Sequence, residues 1–194
     1  IPYGKHIDVR GAICVGAKSC GAPSDGSAGD PTTFSWTVPS EAEYLDRGEC
    51  YVSIDAACGS GMIIRNTIDE AKTGLNFVEF ENAFGYEYIY YVGANPNVKY
   101  SALVFDGPRT NANGLVFSNI NGSNMLLTNL ANPTITDSTF TLGIDTYTLN
   151  KRSAIDAIGA GAGISDPMRI SSSSFTGDAD ATCGNSGNGI NMID

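Results

Sequence analysis

Apolar and polar residues alternate in short runs along most of the chain, which is the pattern of half-buried β-strands. The stretch richest in aromatic and β-branched residues divides into three such runs, residues 75–82, 86–93 and 97–106, separated by turn-forming Gly, Asn and Pro. The first run carries apolar side chains on both faces, so we expect a second sheet or a neighbouring subunit to cover the sheet on each side. These features predict a three-stranded antiparallel meander at the centre of an all-β domain.

A few segments interrupt the strand pattern with helix signals. Ser40 and Glu43 have the spacing of a capping box, and Gly48 follows as a terminator. Residues 69–74 have the pattern of a helical turn closed by glycine, and the sequence of residues 153–158 predicts another helical turn. We therefore expect a single-domain antiparallel β-sandwich of the jelly-roll kind with one or two short helices.

A regular recurrence in the second half of the chain permits an alternative fold. Residues 115–120, 125–130 and 135–140 repeat a similar order every ten residues and place four hydroxyl residues in one column: Ser118, Thr128, Ser138 and Thr148. Six-residue strands joined by four-residue turns give this spacing in a sandwich. Short coils of a β-solenoid are the alternative, although solenoid repeats usually run to about twenty residues or more.

The N-terminal segment has a clean strand alternation. Apolar or small residues occupy every second position in residues 6–15: Ile7, Val9, Gly11, Ile13 and Val15. The segment resembles the donor strands of pilins assembled by the chaperone–usher route, which complete the sheet of the next subunit. Residues 191–194 lack the alternating C-terminal strand of that family. We expect residues 1–15 to pair within their own domain or in another copy, and residues 16–194 to form the sandwich.

Composition and charge limit the kinds of partner and the cellular compartment that we expect. A net charge of −10 disfavours nucleic acid and anionic membranes as partners, and no apolar run is long enough to predict a membrane-spanning helix. With one histidine and no C-x-x-C, disulfides are favoured over zinc for the five cysteines: Cys14, Cys20, Cys50, Cys58 and Cys183. Disulfides and a start at Ile1 without an initiator Met predict an exported protein, extracellular or at the cell surface.

Few residues form a pattern typical of a chemical site. Glu79 and Glu81 lie two apart and share a strand face, and Glu87 on the next predicted strand could stand opposite them. A jelly-roll polysaccharide hydrolase needs two such carboxyl groups close together. Trp36 is expected in the core, or on the surface as a stacking platform for a sugar. Two further candidates lie in loops. Asp178 and Asp180 could begin a calcium site, and Asn121 fits the glycosylation pattern.

We therefore expect a structural subunit that is not an enzyme and that assembles with copies of itself. The product would be an extracellular filament, a pilus-like fibre or a surface layer, with residues 1–15 as the candidate donor strand. A carbohydrate-binding adhesin or lectin is the alternative, and the polysaccharide hydrolase is the second alternative. No cofactor is expected apart from calcium at the two aspartates.

Overall fold

The computed structural model is a parallel β-solenoid, in which successive coils each add one strand to each of three sheets. It describes residues 1–11, 13–16, 29–38, 40, 60–65, 74–83, 86–92, 95–107, 110–120, 122–129, 131–142, 153–159, 168–176 and 188–193. These residues form seventeen strands and no helix. None of them therefore builds a helix long and apolar enough to cross a membrane.

The strands follow the chain coil by coil. The first coil contains β1 (Ile7–Arg10), β2 (Cys14–Val15) and β3 (Thr32–Ser35), and the second contains β4 (Met62–Arg65), β5 (Gly74–Asn76) and β6 (Val78–Glu81). After β7 (Tyr86–Val92), the third coil contains β8 (Asn95–Asp106), β9 (Asn111–Asn113) and β10 (Val116–Ser118). The fourth contains β11 (Ser123–Thr128), β12 (Thr134–Thr136) and β13 (Thr139–Thr141), and the fifth β14 (Ser153–Ile158), β15 (Arg169–Ser171) and β16 (Ser174–Thr176). The last strand is β17 (Asn188–Ile193).

Each sheet takes the equivalent strand from every coil. Sheet 1 has the order β1-β4-β8-β11-β14-β17, sheet 2 the order β2-β5-β9-β12-β15, and sheet 3 the order β3-β6-β10-β13-β16. All neighbours in these three series are parallel. Strand β7 forms an antiparallel hairpin with β8.

The core lies between the sheets and is built from side chains that stack in columns from coil to coil. The clearest column runs through sheet 3 and consists of Phe34, Phe80, Phe117, Phe140 and Phe175. Centroids of successive rings are 5.0–5.8 Å apart, as in favourable stacked pairs. Aliphatic columns line the other sheets, for example Leu103, Met125 and Ile155 in sheet 1. Each coil thus buries its apolar residues against its neighbours.

A tight corner joins sheet 2 to sheet 3 in four successive coils. One residue with a positive φ makes the corner in each coil: Phe77 (50°), Gly114 (65°), Asp137 (50°) and Ser172 (50°). Backbone hydrogen bonds continue through it, from Phe77 N to Asn113 O (2.8 Å) and from Gly114 N to Thr136 O (3.0 Å). A Cβ on Gly114 would lie 2.6 Å from Phe77 Cδ1, so this corner requires glycine.

The predicted antiparallel sandwich is therefore wrong. Among the described strands, sixteen form the parallel series and one antiparallel pair exists, the β7–β8 hairpin. The meander prediction is confirmed for that hairpin only. Its first run breaks at Phe77 into β5 and β6, which lie in different sheets. Alternation could not reveal this, because parallel and antiparallel strands both place successive side chains on opposite faces. The solenoid alternative is compatible with the structure.

The prediction of a helical turn at residues 153–158 is also wrong, because these residues form β14. Most of the other two predicted helical segments, 40–48 and 69–74, lies outside the described residues.

The ten-residue recurrence does not mark a coil. Residues 115–120, 125–130 and 135–140 fall in different sheets, so their hydroxyl residues do not form a column. The residues that stack one coil apart are instead Phe117 and Phe140. Thr148 lies outside the described residues.

The N-terminal alternating segment is two strands rather than one. Ile7 and Val9 lie on β1, whereas Ile13 and Val15 lie at β2 in another sheet, and Gly11 (φ 130°) lies between the two strands. All four apolar side chains pack against the core. Strand β1 pairs with β4 of its own chain. Donation of residues 1–15 to another copy stays a prediction, and it would have to replace this pairing.

Candidate assembly site

The last coil leaves part of the core uncovered. Phe175 is 40% exposed, Ile190 43% and Met192 68%. Their column neighbours in the preceding coil are almost fully buried: Phe140, Ile155 and Ala157. We call the three exposed residues the C-terminal end face. Large apolar side chains exposed together are typical of interaction surfaces.

The three residues lie at the same end of the coil stack. A Cβ at Gly189, next to Ile190 on β17, would lie 3.9 Å from Phe175 Cδ1, so sheets 1 and 3 approach each other there. In the described part of the chain, β15, β16 and β17 each pair with one neighbouring strand. Their other edges present backbone groups that a further parallel strand can use.

The first coil presents the same columns at the opposite end. Ile7 and Val9 on β1 and Phe34 on β3 begin the columns that the C-terminal end face completes. We call these three residues the N-terminal end face. They are only partly buried and pack against the core from one side. All strands of each series run in the same direction. The strand at one end of a sheet in one copy can therefore pair in parallel with the strand at the other end of that sheet in a second copy.

The first five residues lie beside the N-terminal end face, and we call them the N-terminal arm. The Ile1 nitrogen donates to Ser35 O (2.8 Å), and Thr37 N donates to Ile1 O (2.8 Å). Further along the arm, Trp36 Nε1 donates to Lys5 O (2.8 Å). The arm therefore occupies part of the open edge of β3.

An ionic network ties the first coils together on the outer side of sheet 1. Arg65 Nε donates to Asp8 (3.1 Å) and Arg65 Nη1 to Asp106 (3.1 Å), which links β1, β4 and β8. Asn129, after β11, donates to the same Asp106 carboxylate. The network is partly buried, so solvent screens it less than an exposed ion pair.

A buried acid ties the last coils together in the same way. Asp156 on β14 is fully buried and accepts hydrogen bonds from Ser123 Oγ on β11 and from Asn191 Nδ2 on β17 (2.8 Å). A buried carboxyl group is tolerated when such donors satisfy it. Asp156 thereby connects the last strand of sheet 1, which carries two residues of the C-terminal end face, to the body of the solenoid.

The predicted carboxylate pair lies on the outer face of sheet 3. Glu79 and Glu81 share a face of β6, as their spacing predicts. Glu79 accepts hydrogen bonds from Ser118 Oγ (3.1 Å) and Thr33 Oγ1 (3.4 Å) on the flanking strands. Glu87 lies on β7, which pairs with β8 in sheet 1 and not with β6. The expectation that Glu87 stands opposite the pair is therefore wrong.

Trp36 is a core residue. Its side chain is 2% exposed, and its ring stacks on Phe80 with a centroid separation of 6.5 Å. The prediction that it anchors the core is confirmed, and the alternative of a surface platform for a sugar is wrong. Glycan binding elsewhere on the protein stays a prediction.

The remaining predicted site residues are described only in part. Cys14, on β2, is disulfide-bonded. The candidates outside the described residues are Cys20, Cys50, Cys58, Cys183, Asn121, Asp178 and Asp180. Within the described ranges, no three His, Cys, Asp or Glu residues group in a way that could hold a metal ion.

The sequence contains a signal for the sheet 3 column. Each stacked phenylalanine is the centre of a triplet, in chain order TFS, EFE, VFS, TFT and SFT. Both neighbours of the core aromatic are polar in four of the five triplets, and its recurrence once per coil is the ladder pattern of a solenoid. The unequal spacing of the triplets hides this pattern from a search for a fixed period.

The chain matches no protein family model, no curated protein and no solved structure.

Proposed function

We propose that the protein is an exported structural subunit whose copies add end to end into an extracellular filament. The observation that carries the proposal is the C-terminal end face, where Phe175, Ile190 and Met192 are exposed at the end of columns that are buried elsewhere. A second copy is the occupant that suits this surface best, because its N-terminal end face presents the same columns.

The register of such an addition follows from the columns. In sheet 1, Ile7 of the incoming copy would follow Ile190, and Val9 would follow Met192. In sheet 3, Phe34 would stack on Phe175 and continue the aromatic column. The surfaces that meet are different surfaces of the subunit, so the contact is head to tail. Repetition of a head-to-tail contact that does not close into a ring produces a filament.

Two further features support the proposal. The disulfide at Cys14 is typical of proteins that act outside the reducing cytosol. The pairing of strand edges also supplies backbone hydrogen bonds across the contact, so that assembly does not depend on apolar burial alone.

The test compares two lysine variants of the full chain. Burying a methionine side chain is worth about 1.5–3 kcal/mol, so Met192→Lys should raise the dissociation constant between copies by about tenfold or more. Thr134→Lys introduces the same charge at an exposed position on β12, a strand of sheet 2 that has a neighbour on each side, and should leave association unchanged. Light scattering over a concentration series gives the constant, and negative-stain microscopy shows the shape.

Two results would contradict the proposal. The first is a full chain that stays monomeric over the whole concentration series. The second is an equal effect of Met192→Lys and Thr134→Lys, because association would then depend on net charge and not on the C-terminal end face.

A further inference from the structure

The outer face of sheet 3 is a polar surface on the side of the solenoid. Each phenylalanine of the aromatic column belongs to the core, so the residue before it and the residue after it face outward. We call these flanking residues of the five phenylalanines the polar strip. All of them are exposed or half-buried, and Val116 is the one apolar residue among them. The outer face of sheet 1 differs, because its central residues Ile63, Val104 and Leu126 are fully buried.

Hydroxyl and carboxylate groups of the polar strip are aligned from coil to coil. Glu79 accepts hydrogen bonds from Thr33 Oγ1 (3.4 Å) on one flanking strand and from Ser118 Oγ (3.1 Å) on the other. Two coils further along, Ser174 Oγ donates to Thr139 Oγ1 (3.3 Å). These bonds hold the side chains in rows that cross the strands. A carboxylate has about four acceptor sites, so Glu79 can accept further hydrogen bonds from a ligand.

The size of the polar strip limits the kind of occupant. Five strands about 4.8 Å apart, with three residues about 3.3 Å apart on each, make a strip about 24 Å long and 10 Å wide. That area is about 240 Å², whereas a stable interface between folded proteins buries about 800 Å² on each partner. A narrow chain that lies across the strands therefore fits the strip, and a second copy or another folded protein does not.

Charge and spacing select among chain-like ligands. The strip carries the acids Glu79 and Glu81 and no basic residue, so it repels nucleic acids and anionic polysaccharides. An extended peptide presents the same face only at every second residue, about 6.6–6.8 Å apart, and falls out of register with the strands. A sugar residue in an extended glycan is about as long as the distance between neighbouring strands, so its hydroxyl groups recur once per coil.

We propose that the polar strip binds a neutral, extended polysaccharide that runs along the axis of the solenoid. Each sugar residue faces one strand, and its hydroxyl groups donate to Glu79 and Glu81 or pair with the hydroxyl residues of the other coils. No residue of the strip is aromatic, so recognition uses the hydroxyl edges of the sugar rings and not stacking on their faces. This inference goes beyond the proposed function and does not depend on it, because the strip lies on the side of the solenoid.

The first test titrates the full chain with cello-oligosaccharides and chito-oligosaccharides of increasing length by calorimetry. Affinity for one of these neutral series should rise with length up to about five residues, one for each strand of sheet 3, and then stay constant. Oligogalacturonate of the same length carries a negative charge on each residue and should bind about tenfold more weakly or not at all.

The second test assigns the binding to the polar strip. Glu81→Ala removes a charged acceptor and should raise the dissociation constant by about tenfold or more. Glu87→Ala is the matched control, because it removes the same charge from β7, which pairs in sheet 1. Thr139→Val removes one hydroxyl group and should raise the constant by about threefold to tenfold. Thr134→Val makes the same change on sheet 2 and should leave the constant unchanged.

Three results would overturn the proposal. The first is that neither neutral series binds the full chain. The second is that oligogalacturonate binds as tightly as the neutral series, since the acids of the strip cannot then form the site. The third is that Glu81→Ala and Thr139→Val weaken binding no more than Glu87→Ala and Thr134→Val, because the glycan then uses another surface.

Discussion

Phenylalanine residues in sheet 3 show how position in a column decides what one side chain contributes. Phe117 is 1% exposed and stacks between Phe80 and Phe140. Phe175 contacts one ring of the column and is 40% exposed. The same residue type should therefore have a different effect on stability in the middle of the column and at its end.

We expect Phe117→Ala to lower the free energy of unfolding by about 3–5 kcal/mol, because it leaves a cavity between two rings. Phe175→Ala is the matched control and should lower it by about 1–2 kcal/mol, since part of that side chain already contacts water. Urea unfolding of both variants measures the difference. Equal losses would show that the column does not act as a continuous stack.

Individual residues were only partly predictable from the sequence. The buried position of Trp36 followed from its alternation with polar neighbours, and so did the shared face of Glu79 and Glu81. The corner at Asp137 and Ser172 did not. Both residues have a positive φ, which glycine and asparagine signal but serine rarely does. Neighbouring coils impose this conformation through backbone hydrogen bonds such as Asp137 N to Ser171 O.

The strands of sheet 1 are held together by side-chain hydrogen bonds as well as by apolar packing. Asp156 joins β14 to β11 and β17 through Ser123 and Asn191. When a buried acceptor is removed, its donors lose that partner. The free energy of unfolding then falls by more than the net contribution of the hydrogen bond itself. Asp156 should therefore contribute most to the stability of β17, which has one strand neighbour among the described residues.

We expect Asp156→Ala to lower the free energy of unfolding by about 2–4 kcal/mol and to loosen β17 first. Glu81→Ala removes an acid from the outer face of sheet 3, where it is half-buried, and should change stability by about 0.5 kcal/mol or less. Chemical denaturation and hydrogen exchange of residues 188–193 provide the measurements. A stable Asp156→Ala variant with an unchanged β17 would contradict this role.

Strand locations were easier to predict than strand partners. Residues 32–35, 78–81 and 101–106 have clear strand character, and each is a strand in the structure. Their partners come from preceding and following coils, and the loops between them differ in length. A local pattern contains no information about a partner so far along the chain, so nearest-neighbour pairing gave a meander where the protein has a solenoid.

The molecule as a whole should behave as a linear array of coils. Each coil buries its columns against the coils beside it, so the interior coils have two neighbours and the ends have one. The same arrangement explains why the candidate site was not predicted. The C-terminal end face lies where the columns of the described strands end, at β16 and β17, and the sequence of either strand resembles that of an interior one.

We expect hydrogen exchange to be slowest at the centre of the array, in β8 and β11, and to become faster toward β1 and β17. Hydrogen–deuterium exchange with mass spectrometry on the full chain measures this gradient. Assembly should protect both ends and leave the centre unchanged. Uniform exchange along the chain would indicate a single cooperative unit instead.

The corner between sheets 2 and 3 also determines where the chain tolerates a change in length. One left-handed residue makes that corner in each of four coils, whereas the connection after β14 is much longer than the one after β8. A foreign peptide grafted after Ile158 would therefore leave the stacked columns in register. A single residue added beside Asp137 would turn Phe140 out to solvent and its polar neighbours into the core.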